Sequence, residues 1–151
     1  MLFGSEQSNN ALHTESAEMH ENPEYQHIQS VRDPQNIDLE FFRSVQEIEA
    51  EEAEHGVDLA DVMNVGVDML VKYCKKNKFK KRLFLITDGE RKQSADKDKV
   101  SDLVDRINLE DIKVNCITVD FCDTVDDEEE IVAGEQESEA QKKNRKLFVE
   151  L

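Results

Sequence analysis

Leu83-Phe84-Leu85-Ile86-Thr87-Asp88-Gly89 is the stretch on which the fold turns. Four apolar residues in a row are too few for a core helix. They leave neither alternating face polar, and Thr-Asp-Gly then closes the run. This pattern predicts a strand of a parallel sheet, buried on both faces. Upstream, Leu59, Val62, Met63, Gly66, Met69, Leu70 and Tyr73 recur at three- and four-residue steps, which predicts a helix over about residues 58–75. Downstream, a polar loop over residues 90–96 leads to a second helix with Val100, Leu103, Val104 and Ile107 on one face. A second β-rich run follows over residues 112–121, carrying Val114, Ile117, Val119 and Phe121. A charged helical pattern with Ala140, Leu147, Phe148 and Leu151 closes the chain. Helix, strand, helix, strand, helix spells an α/β layer with a parallel sheet, and right-handed crossovers put helices on both faces. The expected architecture is a Rossmann-like open sheet with any site at the C-terminal ends of its strands, where Asp88 falls.

The first 57 residues say less. Met1-Leu2-Phe3-Gly4 reads as the end of a strand stopped by glycine, and residues 5–24 read as a polar loop without helical or strand periodicity. Tyr25, His27, Gln29 and Val31 alternate with Ile28 on the other face, a weak edge strand ended by Pro34. Asp38 is placed to cap a helix whose apolar face is Leu39, Phe42, Val45 and Ile48. Residues 49–54 are too acidic to continue a buried face.

The chain has 151 residues, with 35 acids against 19 bases and a formal charge of −16. That length suits one domain. Residues 1–71 carry −14, residues 72–82 carry +7 with no acid, residues 83–121 carry −3, residues 122–140 carry −9 with no base, and the last eleven residues carry +3. The block with Asp126-Asp127-Glu128-Glu129-Glu130 is expected to be a solvated loop insertion. Such a surface does not contact a phosphate backbone directly, because that needs clustered Lys and Arg. No apolar run is long enough to span a membrane and no secretory signal is visible, so no membrane partner is expected. Cys74, Cys116 and Cys122 form an odd, widely spaced set that reads as reduced thiols of an intracellular protein.

Sites with chemistry are scarce. Five glycines (Gly4, Gly56, Gly66, Gly89, Gly134) form neither GxGxxG nor GxxxxGK[ST], so no nucleotide-phosphate loop is present and no cofactor is expected. His13, His20, His27 and His55 are scattered without metal-ligand spacing. Asp88 either joins a hard-cation site, with Asp58 as the only evident second oxygen donor, or caps the turn before Gly89. Cys74 and Cys116 look like core or half-buried thiols, and the acidic loop beside Cys122 raises a thiol pKa. No Ser sits in a GxSxG elbow, so no catalytic residue is expected. The island Lys75-Lys76-Asn77-Lys78-Phe79-Lys80-Lys81-Arg82 reads either as a nuclear-localisation or phosphate patch, or as the positive charge that a helix C-terminus favours.

Certain residues match a known family. Leu2-Phe3-Gly4, then Asn9-Asn10-Ala11-Leu12, then Tyr25-Gln26-His27-Ile28 resembles the amino-terminal von Willebrand factor A-like domain of the Ku large subunit. Asp38-Leu39, the helix from near Asp58 and Asp61, the basic segment and the Ile86-Thr87-Asp88-Gly89 strand end are also similar to that domain. The opening loop is the specific part, and the Thr-Asp-Gly strand end is shared across A-type domains generally.

The resemblance implies a three-layer α/β fold with a mostly parallel sheet, here lacking its first, central strand. Residues 1–121 would form the partial A-type domain, 122–138 the acidic loop insertion and 139–151 the final helix. It implies a non-enzymatic DNA end-binding protein in the nucleus, acting in non-homologous end joining and telomere maintenance as a heterodimer with the smaller Ku subunit. The A-type domain would sit at the periphery and dock end-joining factors, while double-stranded DNA ends are held by the rest of the protein. Such proteins often carry a helicase label, yet this segment lacks the means for ATP-driven unwinding. Asp88 and Asp58 fall at remnant A-type metal-site positions and are not expected to bind a metal. The family's Asp-x-Ser-x-Ser loop would precede residue 1, and Asp58 stands where metal-binding members place a Thr. Without that first strand the neighbouring edges would be unpaired, so instability or aggregation of residues 1–151 alone is expected. The residues by themselves also allow an A-type adaptor domain of another intracellular complex, or an α/β enzyme of unknown activity.

Overall fold

The computed structural model describes residues 1–35, 37–48, 56–75, 77–89, 97–119 and 141. Residues 49–54, 90–96 and 122–140, His55, Phe121, Cys122 and the final helix apart from Gln141 lie outside the described residues. The chain divides into two compact units, Met1–Phe79 and Lys80–Leu151.

In the first unit β1 (Leu2–Phe3) pairs antiparallel with β2 (Ile28–Gln29), Leu2 opposite Gln29 and Phe3 opposite Ile28. Gly4 turns the chain away at φ 79°, a conformation that glycine adopts without a Cβ penalty. The segment expected to be a loop instead contains a helix, α1 (Ala11–Met19). Its only buried residue is Ser16, so it has no apolar face for periodicity to reveal. The strand expected over residues 25–31 is cut to two residues, because Tyr25 (φ 56°) and His27 (φ 59°) are left-handed and cannot pleat.

Asp38 caps α2 (Leu39–Gln46) as expected, its Oδ1 accepting from the Phe41 amide at 2.8 Å. The helix buries nothing, however: Leu39, Phe42 and Val45 are 76%, 58% and 49% exposed. α3 (Leu59–Cys74) is the core of this unit, with Leu59, Val62, Met63, Val65 and Val67 all buried. Tyr73, at its C-terminal end, is exposed rather than part of that face. Lys72 of α3 reaches Glu15 of α1 and Asp68 one turn back, both at 2.9 Å.

In the second unit β3 (Lys81–Thr87) pairs parallel with β4 (Ile112–Thr118) through α4 (Lys97–Leu109), which packs on β4. The α/β class and the parallel pair match expectation. α4 buries Leu103 and Ile107. The register sets Leu83 beside Val114 and Leu85 beside Cys116 on one face, and Phe84 beside Asn115 and Ile86 beside Ile117 on the other. Leu85 and Ile112 are buried, whereas Phe84 and Ile86 are exposed. The two-sided burial expected of the Leu-Phe-Leu-Ile run is therefore not found: Leu85 and Ile112 are buried on the first face, where Leu83 and Val114 are half-buried and Cys116 is exposed, and Phe84 and Ile86 are exposed on the second.

Candidate functional site

The C-terminal end of the parallel pair is built by short polar contacts. Gly89, at φ 63°, donates its amide to Thr87 Oγ1 at 3.1 Å, and the Val119 amide continues the ladder to the Thr87 carbonyl at 2.9 Å. Gln141 is buried and its Nε2 donates to the Asp88 carbonyl at 2.9 Å. The chain that left β4 at Val119 therefore returns to the same strand end at Gln141. The Asp88 side chain itself is exposed.

Asp58 is engaged elsewhere. It caps α3, its Oδ1 accepting from the Ala60 amide at 2.9 Å, and it belongs to the first unit while Asp88 belongs to the second. Among the described residues no group of three or more His, Cys, Asp or Glu is arranged to hold a metal ion. His13 and His27 each donate from Nδ1 to a backbone carbonyl, Glu24 at 2.8 Å and Ser5 at 3.1 Å, and His20 ends α1. Cys74 is buried as expected, whereas Cys116 is exposed rather than core or half-buried, and partial desolvation still pushes its thiol above the ordinary value, away from the reactive thiolate.

Sequence reasoning missed the polar hub of the first unit. Asn10, 4% exposed, caps α1 through Oδ1, which accepts from the His13 amide at 2.8 Å. Its Nδ2 donates to the Tyr25 carbonyl at 3.0 Å and the Ile28 carbonyl at 2.8 Å. Ser8 Oγ accepts the His27 amide, and Ser16 Oγ accepts the Glu24 amide, both at 2.9 Å. These contacts hold the two left-handed residues in place. The available signal was the Asn9-Asn10 pair before Ala-Leu-His, a helix start recognisable without periodicity. Lys72 holds α1 against α3, and its ammonium is raised above the ordinary lysine value by hydrogen bonds to Asp68 and then to Glu15.

The basic island is divided in function. Lys81 is satisfied internally, its Nζ donating to the Glu110 carbonyl at 2.6 Å and to Glu110 Oε2 at 3.0 Å. Arg82 and Lys113 are neighbours in the parallel register, and both are exposed on the second face of the sheet.

This opening loop, the capped α3 and the parallel pair ending in Thr-Asp-Gly accord with a whole-chain match. Residues 1–151 match the family described as the Ku70/Ku80 N-terminal alpha/beta domain. The chain belongs to the Ku family. It is 25% identical over 125 residues to X-ray repair cross-complementing protein 5 of Dictyostelium discoideum, covering 83% of this chain and 15% of that protein. It is 29% identical over 122 residues to ATP-dependent DNA helicase 2 subunit KU80 of Oryza sativa subsp. japonica, covering 78% of this chain and 17% of that protein. A shorter stretch of 59 residues is 37% identical to ATP-dependent DNA helicase II subunit 2 of Coccidioides immitis (strain RS), covering 39% of this chain and 8% of that protein. The Ku chain thus spans less than a fifth of the length of the curated relatives it matches. The helicase wording belongs to the names of two of those relatives, and the Ku amino-terminal domain is not an enzymatic domain.

Proposed function

We propose that this Ku chain is the amino-terminal part of a large-subunit protein that binds double-stranded DNA ends as a heterodimer with the smaller Ku subunit. Its setting is the nucleus, in double-strand break repair by non-homologous end joining and in telomere maintenance. Within that protein, residues 1–151 serve as a peripheral docking domain for end-joining factors, and the duplex is held by other parts. The whole-chain family match carries this reading. The name X-ray repair cross-complementing protein 5, borne by a relative, supports the repair setting.

Charge supports the division of labour. A surface of −16 repels a phosphate backbone and leaves the chain suited to protein contacts. Asp58 and Asp88 take structural parts in this reading and hold no metal: one starts α3 and the other ends β3.

The test is a gel-shift titration of the full-length protein with blunt duplex DNA, with and without the smaller subunit. End-dependent binding that needs both subunits is expected, and binding that ignores ends, or none, overturns the reading. The docking role has its own readout. A subunit lacking residues 1–151 is expected to keep duplex binding and lose purified end-joining factors, and full retention of those factors refutes it.

A further inference from the structure

The fold uses only part of the basic island over residues 72–82. Lys72 is tied to Glu15 and Asp68, and Lys81 to Glu110. Lys75 stands at the C-cap of α3, where positive charge meets the negative end of the helix dipole. That attraction fades beyond the last turn, so it does not account for Lys78 and Lys80. Between α3 and β3 the chain passes through Asn77, Lys78, Phe79 and Lys80 in neither helix nor strand. Its turns are closed by its own backbone: the Asn77 amide donates to the Cys74 carbonyl at 2.9 Å, and the Phe79 amide to the Asn77 carbonyl at 3.0 Å. Lys75, Lys78, Phe79 and Lys80 are all exposed. Among the described residues no ion pair involves any of these three lysines. The loop precedes β3 and lies on neither face of the sheet, and lysines without a carboxylate partner are not buried by packing.

We propose that residues 75–80 are a nuclear-import signal, read by a receptor protein whose groove is lined with carboxylates. Lys78 and Lys80 would carry the recognition, because the fold gives them no other task. The boundary between the two compact units falls between Phe79 and Lys80, and a signal read as a linear stretch needs no arrangement of those units. Charge selects a protein groove over a nucleic acid. The island is preceded by the −14 of residues 1–71 and followed by the −3 and −9 of residues 83–121 and 122–140. A duplex is long and meets that acidic excess, whereas a groove that takes one short stretch meets the lysines alone.

This inference rests on the nuclear setting proposed above and names the segment that leads there. In cultured cells, a reporter protein too large to diffuse through nuclear pores carries residues 74–83 as a linear tag. The tagged reporter is expected to accumulate in the nucleus, and the tag with Lys78→Thr and Lys80→Thr is expected to lose that accumulation. In the intact protein, the purified full-length chain competes with a fluorescein-labelled lysine-rich signal peptide for a purified import receptor, read by fluorescence anisotropy. The same double variant is expected to compete about tenfold less well, since two charge contacts are removed. Its circular dichroism, and its binding of blunt duplex DNA with the smaller subunit, are expected to stay unchanged. Four outcomes overturn the proposal: a tagged reporter that stays outside the nucleus, nuclear accumulation that survives both substitutions, unchanged competition by the full-length variant, or a loss of duplex affinity in that variant, which would assign the loop to DNA. Full-length native protein that is nuclear beside an excluded reporter sinks the signal alone, whereas cytoplasmic native protein sinks the nuclear setting with it.

Discussion

Asn10→Ala tests the organisation of the opening loop most directly. One side chain holds three backbone groups from separate segments: the His13 amide, the Tyr25 carbonyl and the Ile28 carbonyl, at 2.8, 3.0 and 2.8 Å. Losing the cap costs about 1 kcal/mol, and losing each donated bond about another 1 in a buried setting. The Ile28 carbonyl keeps one partner, because it also accepts the Asn9 amide at 3.1 Å, so its share is the smaller. The total is about 2–3 kcal/mol, which raises the local opening equilibrium by about thirty- to a hundred-and-fortyfold. Hydrogen exchange by mass spectrometry on the full-length protein reads this in peptides spanning residues 1–30. The amides of His27 and Ser30, bonded to Ser8 Oγ and the Asn9 carbonyl, report the hub itself. Asn10→Asp is the sharper variant. It keeps the cap acceptor but turns a carboxylate towards the two carbonyls, so at neutral pH it is expected to be no better than Asn10→Ala. Exchange within about threefold of native in Asn10→Ala, or native protection in Asn10→Asp, would refute the hub.

Three further outcomes follow from the same kind of argument. Asp58→Ala removes the α3 cap at Ala60 and is expected to lower stability by about 1 kcal/mol in denaturant titration, while millimolar Mg²⁺ shifts the melting temperature of neither the variant nor the native protein. Lys72→Met breaks a three-membered ion cluster in which Lys72 and Glu15 are exposed and Asp68 is buried; the exposed Glu15 pair is worth less than about 1 kcal/mol, and the variant also leaves Asp68 without its ammonium partner. Because Glu15 and Asp68 raise the folded-state pKa above the ordinary value of 10.5, this contribution is complete below 10.5 and is lost as pH rises through the raised value. Melting curves of native protein and Lys72→Met are therefore expected to differ at pH 8 and to converge in strong alkali, and a constant gap would show that the effect is packing. Arg82→Glu sets opposite charges in register with Lys113 and is expected to stabilise the unit by about 0.5 kcal/mol, read by thermal melting.

The legible parts of this fold are those where burial and period coincide. α3 announced itself because Leu59, Val62 and Met63 are both periodic and buried, and Asp58 stands in front of them as the cap. α4 and the parallel pair were readable for the same reason through Leu103, Ile107 and Leu85. α1 was not. It is held by the Asn10 cap and by the Lys72–Glu15 bond, neither of which leaves a hydrophobic pattern. The alternation of Tyr25, His27 and Gln29 misled for a related reason: two of those residues are left-handed, a conformation fixed by the tertiary hydrogen bonds that Asn10 Nδ2 donates to the Tyr25 carbonyl and that Ser8 Oγ accepts from the His27 amide, rather than by local preference.

The charge pattern was legible as a sum and not as a surface. Seven bases over residues 72–82 look like one patch, yet the fold uses them in different ways. Lys72 is tied to Glu15 and Asp68, and Lys81 to Glu110, so two of the seven act as structural ties. Arg82 instead acquires a neighbour from 31 positions along the chain, Lys113, which stands alone among acids in the sequence and became adjacent only through the parallel register. Register depends on how many residues the β3–α4–β4 crossover takes up, a quantity no local window contains. A cationic pair that arises this way is also placed by the fold beside Phe84 and Ile117, so what the linear reading divided between a charge run and a core strand becomes one amphipathic strip.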